Sequence, residues 1–127
     1  MNILFLLGRV LFSFFFLNSA YGHLTKIEMM AGYTGSKGVP APKLAVIVTG
    51  ILLLIGGLSI LFGVGIYWGI GALLLFLLPV AFIMHPYWKE SDPMQRSAQQ
   101  KNFMRNMSLS GALLMFLLIP MPWPYSL

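Results

Sequence analysis

The side chains best suited to chemistry are an arginine inside an apolar run and two histidines at the ends of such runs. Arg9 lies within the apolar block 2–22, and His23 and His85 follow the first and third apolar blocks. A guanidinium within a membrane binds an anion, a carbonyl group or a lipid headgroup, or it is satisfied by carbonyls at a helix end. Ser13 shares the helical face of Arg9, so we expect this face to point into the protein. Both interpretations of Arg9 stay open.

His23 and His85 are predicted at the same membrane boundary, where their imidazoles would meet if the two helices are neighbours. A bis-histidine haem or a small metal site is one interpretation of this pair, but two ligands alone are a weak metal signal. An aromatic and polar belt that anchors helix ends is the other. We therefore predict no metal site. The candidate ligand-binding residues are Arg9, Ser13, His23, Lys37, His85, Trp88, Arg105 and Asn106.

No catalytic constellation is evident, so no catalytic residue is predicted. The chain contains no cysteine, which excludes thiol chemistry, iron–sulfur clusters and Cys-ligated zinc. A GxSxG elbow, an HExxH pair and paired carboxylates are all missing from the sequence. The segment 37–42 lacks the spacing and context of a phosphate loop, so there is no nucleotide signal. An enzyme that acts on its own is the least favoured function class.

Composition places the chain in a membrane. Of its 127 residues 58% are hydrophobic and 9% are charged, and a soluble domain of this length could not bury so much apolar surface. Apolar blocks at about 2–22, 44–64, 66–84 and 107–123 each approach the ~20 residues that a membrane-spanning helix needs. We predict a single all-α domain, an integral membrane four-helix bundle with short amphipathic interfacial segments.

The charged residues predict the topology. The first long loop, 23–43, carries three lysines and one glutamate, and the second, 85–106, carries four basic and two acidic residues. The positive-inside rule places both loops in the cytoplasm and both termini outside. The net charge of +5 therefore indicates lipid headgroups as partners and not nucleic acid. The N-terminal run has no basic segment before it and contains Arg9, so we expect a retained span and not a cleaved signal peptide.

Local sequence signals predict where helices begin and end around the two long loops. In the first loop we expect a short helix in the headgroup plane that Gly32 ends. In the second, Asp92 followed by Pro93 predicts a helix start, and that helix should continue into the fourth span. Pro120, Pro122 and Pro124 should end it. Gly56 and Gly57 are expected to let helices pack closely.

The order of these features resembles the DoxX family of small four-helix bacterial membrane proteins. The fragments that carry the resemblance are, in order, Arg9, Asn18-Ser19-Ala20-Tyr21-Gly22-His23-Leu24, Tyr33, Lys37-Gly38-Val39-Pro40-Ala41-Pro42, Gly56-Gly57-Leu58-Ser59-Ile60, Gly63, His85-Pro86-Tyr87-Trp88, Phe103-Met104-Arg105-Asn106 and Leu109-Ser110-Gly111-Ala112-Leu113. They cover nearly the whole chain.

The resemblance implies a bacterial inner-membrane protein associated with redox or detoxification assemblies, such as thiosulfate:quinone oxidoreductase. Many family members carry a glutamate shortly before the double glycine, whereas this chain has only Leu and Ile at 51–55. A role that needs that acid is therefore not expected here. The family positions that transfer to this chain are Arg9, His23, Lys37, Gly38, Pro40, Gly57, His85 and Asn106.

Two functions remain as hypotheses. The first is a non-catalytic membrane subunit of a redox-associated complex that binds a quinone or lipid-like ligand, with a redox enzyme subunit or a second copy of the chain as partner. The alternative is a carrier for a small neutral or anionic solute, along a polar stripe formed by Arg9, Ser13, Thr49 and Ser59. No Asp or Glu lies inside an apolar block, which disfavours proton-coupled or cation-coupled transport.

Overall fold

Helices account for nearly all of the regular structure. The computed structural model describes residues 2–124, and no strand occurs among them. The helices are α1 (Asn2–Thr25), α2 (Ile27–Ser36), α3 (Pro42–Phe62), α4 (Ile66–Met84) and α5 (Pro93–Phe116), with a 3₁₀ turn at Tyr87–Lys89 between the last two. The prediction of an all-α protein is confirmed.

Three helices, α1, α3 and α4, are long and apolar enough to cross a membrane. The chain is therefore a multi-pass membrane protein. α4 covers the same residues as the predicted third block, while α1 and α3 differ from the predicted first and second blocks by a few residues at their ends.

The fourth apolar block, 107–123, forms a helix only as far as Phe116. Residues 117–124 form turns, because Pro120, Pro122 and Pro124 cannot donate a backbone hydrogen bond and restrict the residues before them. Trp123 folds back and packs edge-to-face on Phe116. α5 begins in the polar loop and is not among the three apolar spans, so the fourth crossing stays a prediction.

α3 is the central helix and packs between α1 and α4, while α5 packs against α4. Glycines on α3 allow the close approach on both sides. A Cβ at Gly57 would lie 2.8 Å from a methyl carbon of Leu17 on α1, and one at Gly56 would collide with Leu73 on α4. Since small residues let helices in lipid gain van der Waals contact, these two positions determine how closely α1 and α4 approach α3.

The connection between α3 and α4 is a three-residue turn at 63–65. Gly63 and Gly65 have φ of 69° and 58°, a left-handed conformation that side chains other than glycine rarely adopt. The Ser59 hydroxyl donates to the carbonyl of Val64 at 2.6 Å. This bond closes the turn from within the bundle.

Each of the two polar loops contains the start of a helix, and the helix in the first loop is longer than expected. Gly32 does not end α2, which continues to Ser36, so the predicted stop was wrong. A glycine inside a helix costs only about 1 kcal/mol, and the chain leaves the helix just before Gly38, whose φ is 84°. The predicted start of α5 is confirmed, since the Asp92 carboxylate accepts the backbone N–H of Gln95 at 3.1 Å.

Candidate functional site

Arg9 caps the C-terminal end of α3. Its Nε donates to the carbonyl of Ile60 at 3.1 Å, and Nη2 donates to that of Leu61 at 2.8 Å. Nη1 donates to the carbonyl of Pro124 in the C-terminal segment. Carbonyls in the last turn of a helix lack intrahelical donors and carry the negative end of the helix dipole, so they satisfy a cation that has only 3% of its surface exposed. This arrangement matches the structural interpretation of Arg9.

Ser13 lies one turn after Arg9 on the same face of α1. It is buried, and its hydroxyl has no hydrogen-bond partner within residues 2–124. The other members of the polar stripe proposed for a carrier donate to backbone carbonyls. Thr49 donates to Ala45 at 2.7 Å, and Ser59 closes the α3–α4 turn. Three of the four side chains in the stripe therefore form their hydrogen bonds within the protein, and Ser13 forms none among the described residues.

A cavity of about 610 Å³ lies toward the opposite end of the bundle from Arg9. Its walls come from the C-terminal half of α1, from α2, from the start of α3, from the end of α4 and from the middle of α5. Most of the lining is apolar, and the polar side chains gather among Ser19, His23, Tyr33, Thr34, Thr49, His85, Arg105 and Asn106. No carboxylate lines this cavity among the described residues.

His23 reaches the cavity from the last turn of α1. Its Nδ1 lies 3.0 Å from the Thr49 hydroxyl and 3.3 Å from the carbonyl of Val46, both on α3. The ring also packs edge-to-face on Phe76 of α4, with centroids 5.6 Å apart. Three helices thus fix the position of this imidazole.

His85 reaches the cavity just after the end of α4, and an amide on α5 holds it. Its Nδ1 lies 2.7 Å from Oε1 of Gln99. The same oxygen accepts Nδ2 of Asn102 at 3.4 Å, and Oδ1 of Asn102 accepts Nη1 of Arg105 at 3.3 Å. A continuous chain of hydrogen bonds therefore runs from Arg105 through two amides to His85.

Arg105 and Asn106 occupy the side of the cavity formed by α5. The Arg105 guanidinium lies 5.6 Å from the centroid of the Phe15 ring and so bridges α5 and α1 by a cation–π contact. Partial burial lowers the pKa of this guanidinium, yet an arginine remains protonated in proteins. Asn106 is buried and donates to the carbonyl of Leu77 at 3.3 Å, which fixes α5 against α4.

α2 covers the polar end of the cavity and is tied to the second loop at two points. Nε2 of Gln99 donates to the Tyr33 hydroxyl at 3.1 Å. Lys37 forms an ion pair with Glu90 at 3.6 Å, and its ammonium lies 5.7 Å from the centroid of the Tyr33 ring. The two charged loops therefore meet at one end of the bundle.

The eight predicted site residues separate into three places. His23, His85, Arg105 and Asn106 line the cavity. Lys37 and Trp88 do not line it: Lys37 pairs with Glu90, and Trp88 packs on Phe82 and Phe103. Arg9 and Ser13 are not among the residues that line it.

Sequence analysis overlooked Gln99, which orients His85 and binds Tyr33. A signal was available. Gln99, Asn106 and Ser110 are all buried on α5, and their spacing of seven and then four residues places them on one helical face together with Asn102. A polar stripe of this kind on a helix that continues into an apolar segment indicates internal hydrogen bonding.

The lining of this cavity is suited to holding an organic molecule. Within residues 2–124 there is no group of three or more His, Cys, Asp or Glu side chains that could hold a metal ion. An apolar cavity with a few convergent hydrogen-bonding groups suits an organic molecule that has a polar head and an apolar body. A quinone or a lipid has this character, and His23, His85, Arg105 and Asn106 are the residues that would surround its head.

Comparison with known proteins matches the chain to a family model. The model, described as DoxX, matches residues 4–86, which include nearly all of α1, the whole of α2, α3 and α4, and both histidines. No curated protein and no solved structure matches this chain.

Proposed function

This chain belongs to the DoxX family, and we propose that it is a non-catalytic membrane subunit of a redox-associated complex that holds a quinone-like or lipid-like molecule. The observation that supports this proposal is the cavity of about 610 Å³ with apolar walls and two histidines among its polar groups. Ligand pockets in proteins usually measure about 300–1,000 Å³ and combine apolar walls with a few placed polar groups.

The exposed part of the lining supports entry from the bilayer. Phe15, Leu75 and Ile83 line the cavity, and 37%, 63% and 49% of their surfaces are exposed. All three lie on the apolar helices α1 and α4, where an exposed side chain faces lipid. A ligand with a long apolar tail could leave its tail among the lipid chains while its head reaches the histidines.

The charge distribution supports an orientation in the bacterial inner membrane. The two positive loops meet at the cavity end of the bundle, where Lys37 pairs with Glu90. The turn at 63–65, toward the other end, carries no charge. Under the positive-inside rule the head of the ligand would lie near the cytoplasmic surface.

Native mass spectrometry of protein released gently from its own membrane tests the proposal. We expect a retained quinone-like or lipid-like molecule in a stoichiometric ratio, together with a co-purified oxidoreductase subunit. A bare protein, without a small molecule after extraction in several mild detergents, would contradict ligand binding. Absence of any redox subunit under conditions that preserve other membrane complexes would contradict the complex.

Two variants with the same new side chain show whether the cavity holds the molecule. Ala45 lines the cavity on α3, whereas Val48 lies one turn later and is 46% exposed. We expect Ala45→Phe to displace the bound molecule because the ring takes up part of the cavity, and Val48→Phe to retain it. Equal retention in both folded variants would place the molecule elsewhere on the protein.

A further inference from the structure

We infer that the cavity selects the hydroxyl-bearing, reduced form of an aromatic ring, a hydroquinone, over the corresponding quinone. The inference rests on the proposed function, because it concerns the head of the molecule that the cavity holds. It follows from the hydrogen bonds of His23 and His85, which leave one unprotonated ring nitrogen on each imidazole for the ligand.

The hydrogen bonds around Thr49 determine which nitrogen of His23 carries the proton. The Thr49 hydroxyl donates its single proton to a backbone carbonyl, at 2.7 Å from Ala45 or 3.1 Å from Val46. The Val46 carbonyl, 3.3 Å from Nδ1, can only accept. With its own proton on a carbonyl, the Thr49 hydroxyl accepts as well, so we assign Nδ1 of His23 as the donor. In a neutral imidazole Nε2 is then the acceptor.

The hydrogen bonds through the side-chain amides of Asn102 and Gln99 determine which nitrogen of His85 carries the proton. A guanidinium can only donate, so the atom of Asn102 that faces Arg105 is the oxygen. Its Nδ2 then donates to Gln99, and the atom of Gln99 that receives this bond is Oε1. Nδ1 of His85 lies 2.7 Å from this oxygen and must donate to it. Nε2 of His85 is therefore also an acceptor.

Both Nε2 atoms are open to a ligand. Neither has a hydrogen-bond partner among residues 2–124, and neither is among the buried unpartnered atoms there, which are Ser13 Oγ and Trp123 Nε1. Both residues line the same cavity. Neither imidazole has a carboxylate as a hydrogen-bond partner that would hold a second proton on the ring.

Two hydrogen-bond acceptors in the cavity, the Nε2 atoms of His23 and His85, favour a ligand that carries hydrogen-bond donors. The two hydroxyls of a hydroquinone can each donate to an imidazole, whereas a quinone presents only carbonyl acceptors and leaves both Nε2 atoms unpaired. Arg105 uses three of its five N–H groups for Asn102 and Asn106, so it can still donate to the oxygens of either form. The Tyr33 hydroxyl, which accepts from Gln99, keeps its own proton. The reduced form thus makes two hydrogen bonds more than the quinone, and at the lower end of the usual net contribution of a hydrogen bond these favour it by about tenfold.

Nitrogen-15 NMR of the full chain labelled at histidine tests the tautomers directly. The chain has two histidines, so a protein without a histidine tag gives four ring-nitrogen signals. We expect a protonated Nδ1 and an unprotonated Nε2 for both rings. A proton on Nε2 of either ring would overturn the inference without any bearing on whether a ligand binds.

Binding of decylubiquinol and decylubiquinone to the full chain under anaerobic conditions tests the selectivity. We expect the reduced form to bind about tenfold more tightly. In His85→Leu the preference should fall to about threefold or less, with binding of the oxidised form little changed. His85→Gln, which keeps an amide oxygen near the position of Nε2, should recover part of it.

The outcomes separate the two proposals. Equal binding of the two forms, or tighter binding of the quinone, would overturn the selectivity and leave the proposed function standing. Failure of both forms to bind to folded protein, together with a bare protein after mild extraction, would overturn the proposed function and the selectivity with it. Loss of binding in both His85→Leu and His85→Gln while each remains monodisperse would show that His85 acts other than as an acceptor.

Discussion

Gly50 on α3 and His23 on α1 lie in direct contact, and the glycine makes room for the histidine. A Cβ at Gly50 would lie 2.9 Å from the Cβ of His23 and 3.0 Å from a methyl carbon of Leu24. The close approach brings the imidazole to Thr49, which precedes Gly50 in the chain. The lack of a side chain at Gly50 thus allows His23 to take its position in the cavity.

Gly50→Ala should therefore push α1 away from α3 at the cavity. We expect ligand retention to fall and the free energy of unfolding to drop by about 1–3 kcal/mol, the usual cost of overpacking. Gly71→Ala on α4 is the matched control, because a Cβ there meets nothing within 4 Å. Thermal unfolding in detergent and native mass spectrometry measure the two effects. Unchanged retention in Gly50→Ala would show that His23 does not need this approach.

Arg9→Lys should destabilise the fold and leave the cavity intact. One ammonium cannot reproduce the planar set of donors with which Arg9 reaches Ile60, Leu61 and Pro124. We expect the free energy of unfolding to fall by about 2 kcal/mol, with ligand retention unchanged. The exposed Arg96 provides the control substitution Arg96→Lys. A loss of ligand from folded Arg9→Lys would restore the ligand-binding interpretation of Arg9.

Gln99→Leu should release both His85 and α2. The substitution leaves Nδ1 of His85 and the Tyr33 hydroxyl without their partner, and each lost hydrogen bond should cost about 0.5–1.5 kcal/mol. Hydrogen exchange should become faster in α2, at residues 27–36. Gln100→Leu is the control, since Gln100 is exposed one position further along. If exchange in α2 is the same in both variants, other contacts hold α2 in place.

Two ion pairs hold α2, and we expect the longer one to be the stronger. Lys37–Glu90 measures 3.6 Å with side chains 20% and 28% exposed, whereas Lys43–Glu28 measures 2.7 Å but is 63% and 79% exposed. Exposed pairs contribute little because water and salt screen them. Double-mutant cycles of thermal unfolding should give about 0.5–1 kcal/mol for the first pair and less than about 0.5 for the second. A larger coupling for Lys43–Glu28 would contradict this order.

Four of the eight predicted site residues line the cavity, and the reason lies in their depth within the membrane. His23, His85, Arg105 and Asn106 stand at the polar ends of apolar blocks, so hydropathy alone places them at one level. Arg9 and Ser13 entered the prediction as polar residues inside an apolar block. Their partners could not be predicted, because Arg9 bonds to carbonyls 51 and 52 positions away in the chain.

Features that depend on neighbours in the chain follow from the sequence alone. Apolar blocks of sufficient length predicted membrane-embedded helices, and Asp92 before Pro93 predicted the start of α5. These signals are local, because a helix satisfies its own backbone and a cap acts within one turn. Only the tertiary structure shows the cavity, the capping of α3 by Arg9 and the hydrogen-bond partners of both histidines. Each of these depends on hydrogen bonds or packing between residues that only folding brings together.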